Sequence, residues 1–293
     1  MAAAALLLAA AASPAAAAAA PLQLQDDDGD LLTLAQPAHR IVSLAPGATA
    51  MLFAAGAGAY VIGTSRYSDE PEAARRVERV GDALSFDLER ILALHPDVVV
   101  VWGGGTSPTQ LARLQGVGLR IYRHRLTRLD DLAPSLLRLA RLAGTESQAR
   151  PAAALYAQRI AALRAAYRQA PNDSLLLEVW DRPLYTIGRP QIMNDVIEAC
   201  GYRNVYEDLD IPSPAVTLES VLARDPAVIL VLAPEAASGD RWAAAWRAYP
   251  TLRAVRSQRI VAWSDQRLSR LGPSIVEAAE ALCRALRAAP GDS

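Results

Sequence analysis

Histidine, phenylalanine and cysteine are scarce in this chain: three, two and two among 293 residues. His39, His95 and His124 stand apart, without the spacing that supplies a metal site, so no metal centre is expected. A Gly-x-x-x-x-Gly-Lys-Ser/Thr loop to cradle phosphate is missing. So are a G-x-S-x-G elbow and a Cys–His arrangement for nucleophilic attack, and the chain reads as a protein that is not an enzyme. An excess of one charge is lacking too. The 30 Lys+Arg nearly balance 31 Asp+Glu, which leaves no electrostatic footprint for nucleic acid. Beyond the first twenty residues, no apolar run is long enough for a transmembrane helix. With so little phenylalanine, each Trp or Tyr outside the core becomes a candidate ligand contact.

What is present begins with Met1 to Ala20, almost entirely Ala and Leu. Ser13-Pro14 interrupts the apolar stretch, and small residues up to Ala20 offer A-x-A cleavage, so residues 1–20 read as a signal peptide, although its start carries no Lys or Arg. No Cys follows to accept a lipid, and the expected location is the periplasm. Residues 21–38 contain Asp26-Asp27-Asp28-Gly29 and read as a mobile mature N-terminus with a short strand at Leu31 to Leu34. Cys200 and Cys283 make an even pair. In an exported protein that fits one disulfide, with two buried free thiols as the alternative.

Two segments repeat. Asp87-Leu88-Glu89-Arg90-Ile91-Leu92-Ala93 leads through Pro96 into Val98 to Val101, and Thr217-Leu218-Glu219-Ser220-Val221-Leu222-Ala223 leads through Pro226 into Val228 to Val231. Asp87 and Thr217 are N-cap candidates, each proline stops its short helix, and each aliphatic run reads as a strand buried on both faces of a parallel sheet. Met51 to Gly58 and Ile192 to Gly201 read as helix ends followed by glycine turns, flanked by strands at Ile41 to Leu44 and Val61-Ile62, then at Tyr185 to Ile187 and Val205. Between the halves, Thr145 to Ala170 carries apolar residues at Leu155, Ile160, Leu163 and Tyr167 and predicts one helix about 36 Å long. The expected fold is α/β: two Rossmann-like lobes with parallel sheets, at 39–144 and 171–293, joined by a long backbone helix at 145–170. Such a design leaves a cleft between lobes, a favoured ligand site. Trp102 ends a buried strand before Gly103, Gly104 and Gly105, at the strand end that faces the crevice.

Arg66-Tyr67-Ser68-Asp69-Glu70-Pro71, Val101-Trp102-Gly103-Gly104-Gly105, Glu198-Ala199-Cys200-Gly201 and Ser264-Asp265 with Ala281-Leu282-Cys283 are family-like stretches. Through them, from about Arg40 to Ala288, the chain resembles the helical-backbone (class III) periplasmic binding proteins, most closely the cobalamin-binding branch. That resemblance implies a rigid cleft and a monomeric receptor that hands cobalamin or a related corrinoid to an ABC importer. It implies a Cys200–Cys283 disulfide. It carries ligand contact onto Tyr67, Trp102, Tyr185, Asp265 and Arg270, with Gly103 and Gly104 beside the guest. Glu89 and Glu219 would pair with arginines of the permease dimer in the inner membrane; as residues in a first helical turn, both also suit the helix dipole. The chain has Ala83 and Ser213 where the branch carries tryptophans, and Trp180 is a candidate replacement wall. Haem or a ferric siderophore is the alternative ligand, and a non-transport corrinoid-handling protein the remaining alternative.

Overall fold

The computed structural model describes residues 20–82, 85–170 and 172–289. The expected signal peptide, apart from Ala20, and Ala83 lie outside the described residues. Strands β1 (Leu22–Gln25) and β2 (Leu31–Leu34) form an antiparallel hairpin. The hairpin lies within the segment 21–38, expected to be a mobile N-terminus, and β2 coincides with the short strand expected at Leu31 to Leu34. The acidic turn is pinned by basic residues about a hundred positions away: Arg123 pairs with Asp30, Arg125 with Asp28, and the backbone N–H of Asp27 bonds to the Arg123 carbonyl at 3.1 Å. Leu24, Leu32 and Leu34 then bury themselves in the core.

The first lobe runs β3 (Ile41–Ser43), α1 (Pro46–Ala54), β4 (Val61–Thr64), α2 (Leu88–Ala93), β5 (Val98–Trp102), α3 (Pro108–Gly116), β6 (Ile121–His124) and α4 (Leu132–Ala143). Its four strands are parallel in the order β4-β3-β5-β6. Val98 to Val101 are fully buried, because helices cover both faces of a parallel sheet. A 22-residue helix, α5 (Glu146–Tyr167), follows, about 33 Å long. Ala149, Ala153, Ile160 and Leu163 form its buried stripe. Leu155, expected in that stripe, is 52% exposed, since five residues from Ile160 turns it about 140° away.

The second lobe contains β7 (Asp173–Glu178), β8 (Trp180–Asp181), β9 (Leu184–Tyr185), α6 (Ile192–Ala199), β10 (Tyr202–Asn204), α7 (Leu218–Arg224), β11 (Val228–Leu232), α8 (Ala236–Trp246), α9 (Arg253–Arg256), β12 (Ile260–Trp263) and α10 (Ile275–Ala288). Its parallel order is β10-β7-β11-β12. The strand expected at Tyr185 to Ile187 is not part of that sheet. Leu184 and Tyr185 instead form a small antiparallel hairpin with β8, and β7 fills the sheet position.

The repeat is reproduced in detail. Asp87 accepts a hydrogen bond from the Arg90 N–H at 3.0 Å, and Thr217 accepts one from the Ser220 N–H at 3.2 Å. Both helices stop where the residue before proline turns left-handed, at His95 (φ 44°) and Asp225 (φ 40°). Cys200 and Cys283 are joined in a disulfide that fastens the end of α6 to α10.

Two sets of polar contacts tie the lobes. Asp195 on α6 accepts from the Leu129 N–H and from Arg164 of α5, both at 2.7 Å, with Arg128 2.9 Å away. Arg270 reaches Asp69 at 2.6 Å and Glu70 at 3.1 Å, while Ser274 donates to Glu70 at 2.9 Å. The sequence contains no lysine, so the cations in these ties are planar guanidinium groups, which lose less freedom on pairing.

Candidate functional site

Both sheets point the C-terminal ends of their strands at the space between the lobes, where α/β folds bind ligands. A cleft of about 530 Å³ lies there. The first lobe contributes the start of α1, Tyr67, Trp102 and His124; the second contributes Pro234 after β11 and the Gln266 to Leu271 loop after β12. A polar hollow of about 550 Å³ lies instead at the N-terminal ends of β7 and β10, with Arg253, Arg256 and Arg287 in its wall. It opens away from the interlobe space, and those arginines complement the carbonyl ends of α9 and α10.

Tyr67 owes its position to a buried hydroxyl cluster. Thr49 on α1 donates towards Ser43 and lies 3.1 Å from Ser68, whose hydroxyl is also 3.1 Å from Ser65. The cluster holds the loop after β4 so tightly that Tyr67 adopts a left-handed backbone, φ 66°, a strained state for a bulky residue. Its ring is left 70% exposed.

Trp102 is 38% exposed at the last position of β5. The Thr106 N–H bonds to its carbonyl at 2.9 Å, folding the glycine turn back under the indole. A Cβ on Gly105 would sit 2.0 Å from the indole Cε3, so only glycine allows the ring to rest there. Gly103 and Gly104 support the ring and its turn rather than lining the cleft. The Gly103 carbonyl accepts from Arg125 at 2.6 Å, and a Cβ on Gly104 would lie 3.1 Å from the indole Nε1.

Arg270 lines the cleft while bonded to Asp69 of the opposite lobe. Asp265 caps the turn that begins this loop and is gripped by the Arg267 guanidinium at 2.6 to 3.0 Å. Those hydrogen bonds hold its carboxyl below the usual range against the opposing effect of burial. Tyr185 stands apart from Tyr67 and Trp102. It pairs with Trp180 in the small hairpin, and Trp180 meets Trp242 edge to face at 5.7 Å. Glu89 and Glu219 are exposed at the starts of α2 and α7. The backbone N–H and the Thr217 hydroxyl hold the Glu219 carboxyl below its usual range.

Sequence reasoning passed over the α1 start, Pro234, Gln266 and His124. The first two follow strand ends and were findable by the crevice rule. Nothing local marks His124.

Glu178, at the end of β7, is 2% exposed, and Trp246 donates to it at 2.6 Å. Burial pushes its pKa up to about 7, with the indole N–H opposing. Because the folded value lies above the unfolded one, stability falls as pH rises from about 4.5 to 7 and is then level. Glu178→Gln should therefore raise stability by about 3 kcal/mol at pH 8 and leave it unchanged at pH 4. Urea unfolding of both proteins across pH 4 to 8 checks this through their difference, and a pH-independent difference would refute it.

Fold and cleft together define a two-lobed solute receptor braced by a helix. The periplasmic binding protein family matches residues 41–266, and the chain belongs to that family. The vitamin B12-binding protein of Vibrio cholerae serotype O1 is 33% identical over 88% of this chain and 93% of its own length. That of Yersinia pestis is 33% identical over 89% of this chain and 91% of its own length. Among solved structures, the periplasmic vitamin B12 binding protein of Vibrio cholerae matches with a TM-score of 0.77 at 32% identity, covering 86% of this chain and 97% of that one. A periplasmic heme-binding protein from Roseiflexus matches with a TM-score of 0.71 at 27% identity, covering 85% and 97%. Among the described residues, no helix is long and apolar enough to cross a membrane.

Proposed function

We propose that this protein captures cobalamin or a related corrinoid between its lobes in the periplasm and delivers it to the permease of an ABC importer. The observation that carries the reading is the pair of exposed aromatic rings, Tyr67 and Trp102, held by strained or glycine-bound backbone in one interlobe cleft. A broad, flat, apolar guest suits such faces, because aromatic rings bury wide area with few rotors. Arg270 and Ser269 lie within the same wall for polar groups at the guest's edge. Docking falls to Glu89 and Glu219, exposed in equivalent turns of the two lobes.

Haem is the second reading. It is favoured by the exposed Tyr67 phenol, a group able to ligate iron, and by the Roseiflexus heme-binding relative. Calorimetric titration of the mature protein with cyanocobalamin and with haemin separates the two; saturation by haemin alone would overturn the corrinoid reading. In the same assay, Trp102→Ala should weaken cyanocobalamin binding by about 1 to 3 kcal/mol through lost aromatic burial. Unchanged affinity would remove the indole from the contact surface.

A further inference from the structure

His124 ends β6 directly beside Trp102 in the parallel register and lies in the cleft wall. Its side chain is 3% exposed. Nδ1 lies 2.9 Å from Asp27 and 3.2 Å from the Ser135 hydroxyl, whereas Nε2 is buried and has no hydrogen-bond partner. Asp27, in the hairpin turn, is 1% exposed. It accepts from Tyr122 at 2.9 Å, Ser135 at 2.6 Å, Arg138 at 2.8 Å and the Arg125 N–H at 3.0 Å. Burial pushes its pKa up, but its hydrogen bonds prevail and the carboxyl is held well below its usual range; the Arg138 guanidinium and the Arg125 N–H can only donate, so it accepts as a carboxylate.

An ionised carboxylate only accepts, so Nδ1 carries the proton in the bond to Asp27. In that neutral tautomer Nε2 is a bare lone pair, fixed in direction by the hairpin turn, β6 and α4. An acceptor buried without a donor costs about 1–3 kcal/mol. Holding one in the wall of a binding cleft is an arrangement for a ligand.

We propose that His124 Nε2 is the cleft's fixed acceptor for an amide N–H of the bound ligand, with Asp27 as the positioning residue that holds the proton of the neutral ring on Nδ1 and so turns Nε2 to the guest. This rests on the corrinoid reading above and narrows it. The atom exposes almost no surface, which suits a slender amide arm better than the centre of a rigid macrocycle. A lone pair backed by a carboxylate also repels a carboxylate oxygen. The site therefore favours a guest edged with amides over one edged with acids.

The test compares wild type with His124→Asn and His124→Gln by calorimetry with cyanocobalamin. Asn keeps a donor to Asp27 but ends short of the Nε2 position; Gln reaches that position and can turn an oxygen to the ligand. Asn should bind about tenfold or more weakly, as expected for one buried hydrogen bond. Gln should recover part of the loss, and all three proteins should melt alike. Cobalamin with single peripheral amides hydrolysed to acids provides the second arm: one isomer should bind wild type at least about tenfold worse, and the difference should vanish in His124→Asn. Wild-type affinity in His124→Asn would overturn the proposal. So would an imidazole-ligation shift in the visible spectrum of bound aquocobinamide that His124→Asn abolishes, because the nitrogen would then be a metal ligand. Failure of wild type to bind cyanocobalamin would sink the proposed function instead. Nitrogen-15 NMR of His124 then decides this inference separately: a bare Nε2 at pH 7 sustains the dyad, and a protonated one overturns it.

Discussion

Replacing Cys200 and Cys283 with alanine should lower the unfolding free energy by about 4 kcal/mol. The bridge closes a loop of 83 residues, and chain-entropy scaling gives roughly 4 to 5 kcal/mol for a loop of that length. The surroundings argue for the full effect. Both cysteines are almost completely buried within the core cluster shared by α6 and α10, so their removal also costs native packing there. Losing α10 would also free Arg159 of α5 from Glu280, bonded at 2.7 and 2.9 Å. Denaturant melts of oxidised wild type, reduced wild type and the double alanine protein test this. Equal midpoints in all three would show that the bridge adds nothing to folding.

The second large effect concerns transport. Glu89→Ala combined with Glu219→Ala should leave cyanocobalamin affinity within about twofold and remove importer-dependent uptake, on the reading that charged rim residues govern partner docking. The two carboxylates stand away from the cleft lining, and each helix keeps its own N-cap from Asp87 or Thr217, so folding and ligand capture should survive. Stability should change little, since both carboxylates are exposed and solvent screens their interaction with the helix dipole. Uptake at wild-type rate by the double variant would count against docking and leave dipole stabilisation as the role of both residues.

Much of this architecture is legible in the chain because its signals are local. The paired Leu-Glu helices announce themselves through a cap, a proline and an unbroken aliphatic run, all within fifteen residues. Trp102 is findable because a buried strand and three glycines fix its place at a crevice. The strand at Asp173–Glu178 is harder: polar residues flank a three-leucine core, and the acid at its end looks like a surface residue although it is buried. The acidic run at Asp26 to Asp28 misleads for a different reason. Its partners are Arg123, His124, Arg125 and Arg138, and charge alone reads as solvation when the neutralising groups are remote in sequence. His124 is illegible for the same cause, since its meaning depends on a carboxylate brought in by the hairpin. Leu155 shows a limit of counting apolar positions without their angle around the helix.

The unbroken α5 has a mechanical corollary. Pro151 leaves one carbonyl near its start without a helical donor, but the helix runs on past it to Tyr167, and its midpoint resists creasing more than an extended connector would. Separating the lobes therefore means prying apart side-chain ties such as Arg270 to Asp69 and Glu70, with the backbone unchanged on either side. On the proposed function, unloading is then expected to be a motion of small amplitude at the rim of the cleft.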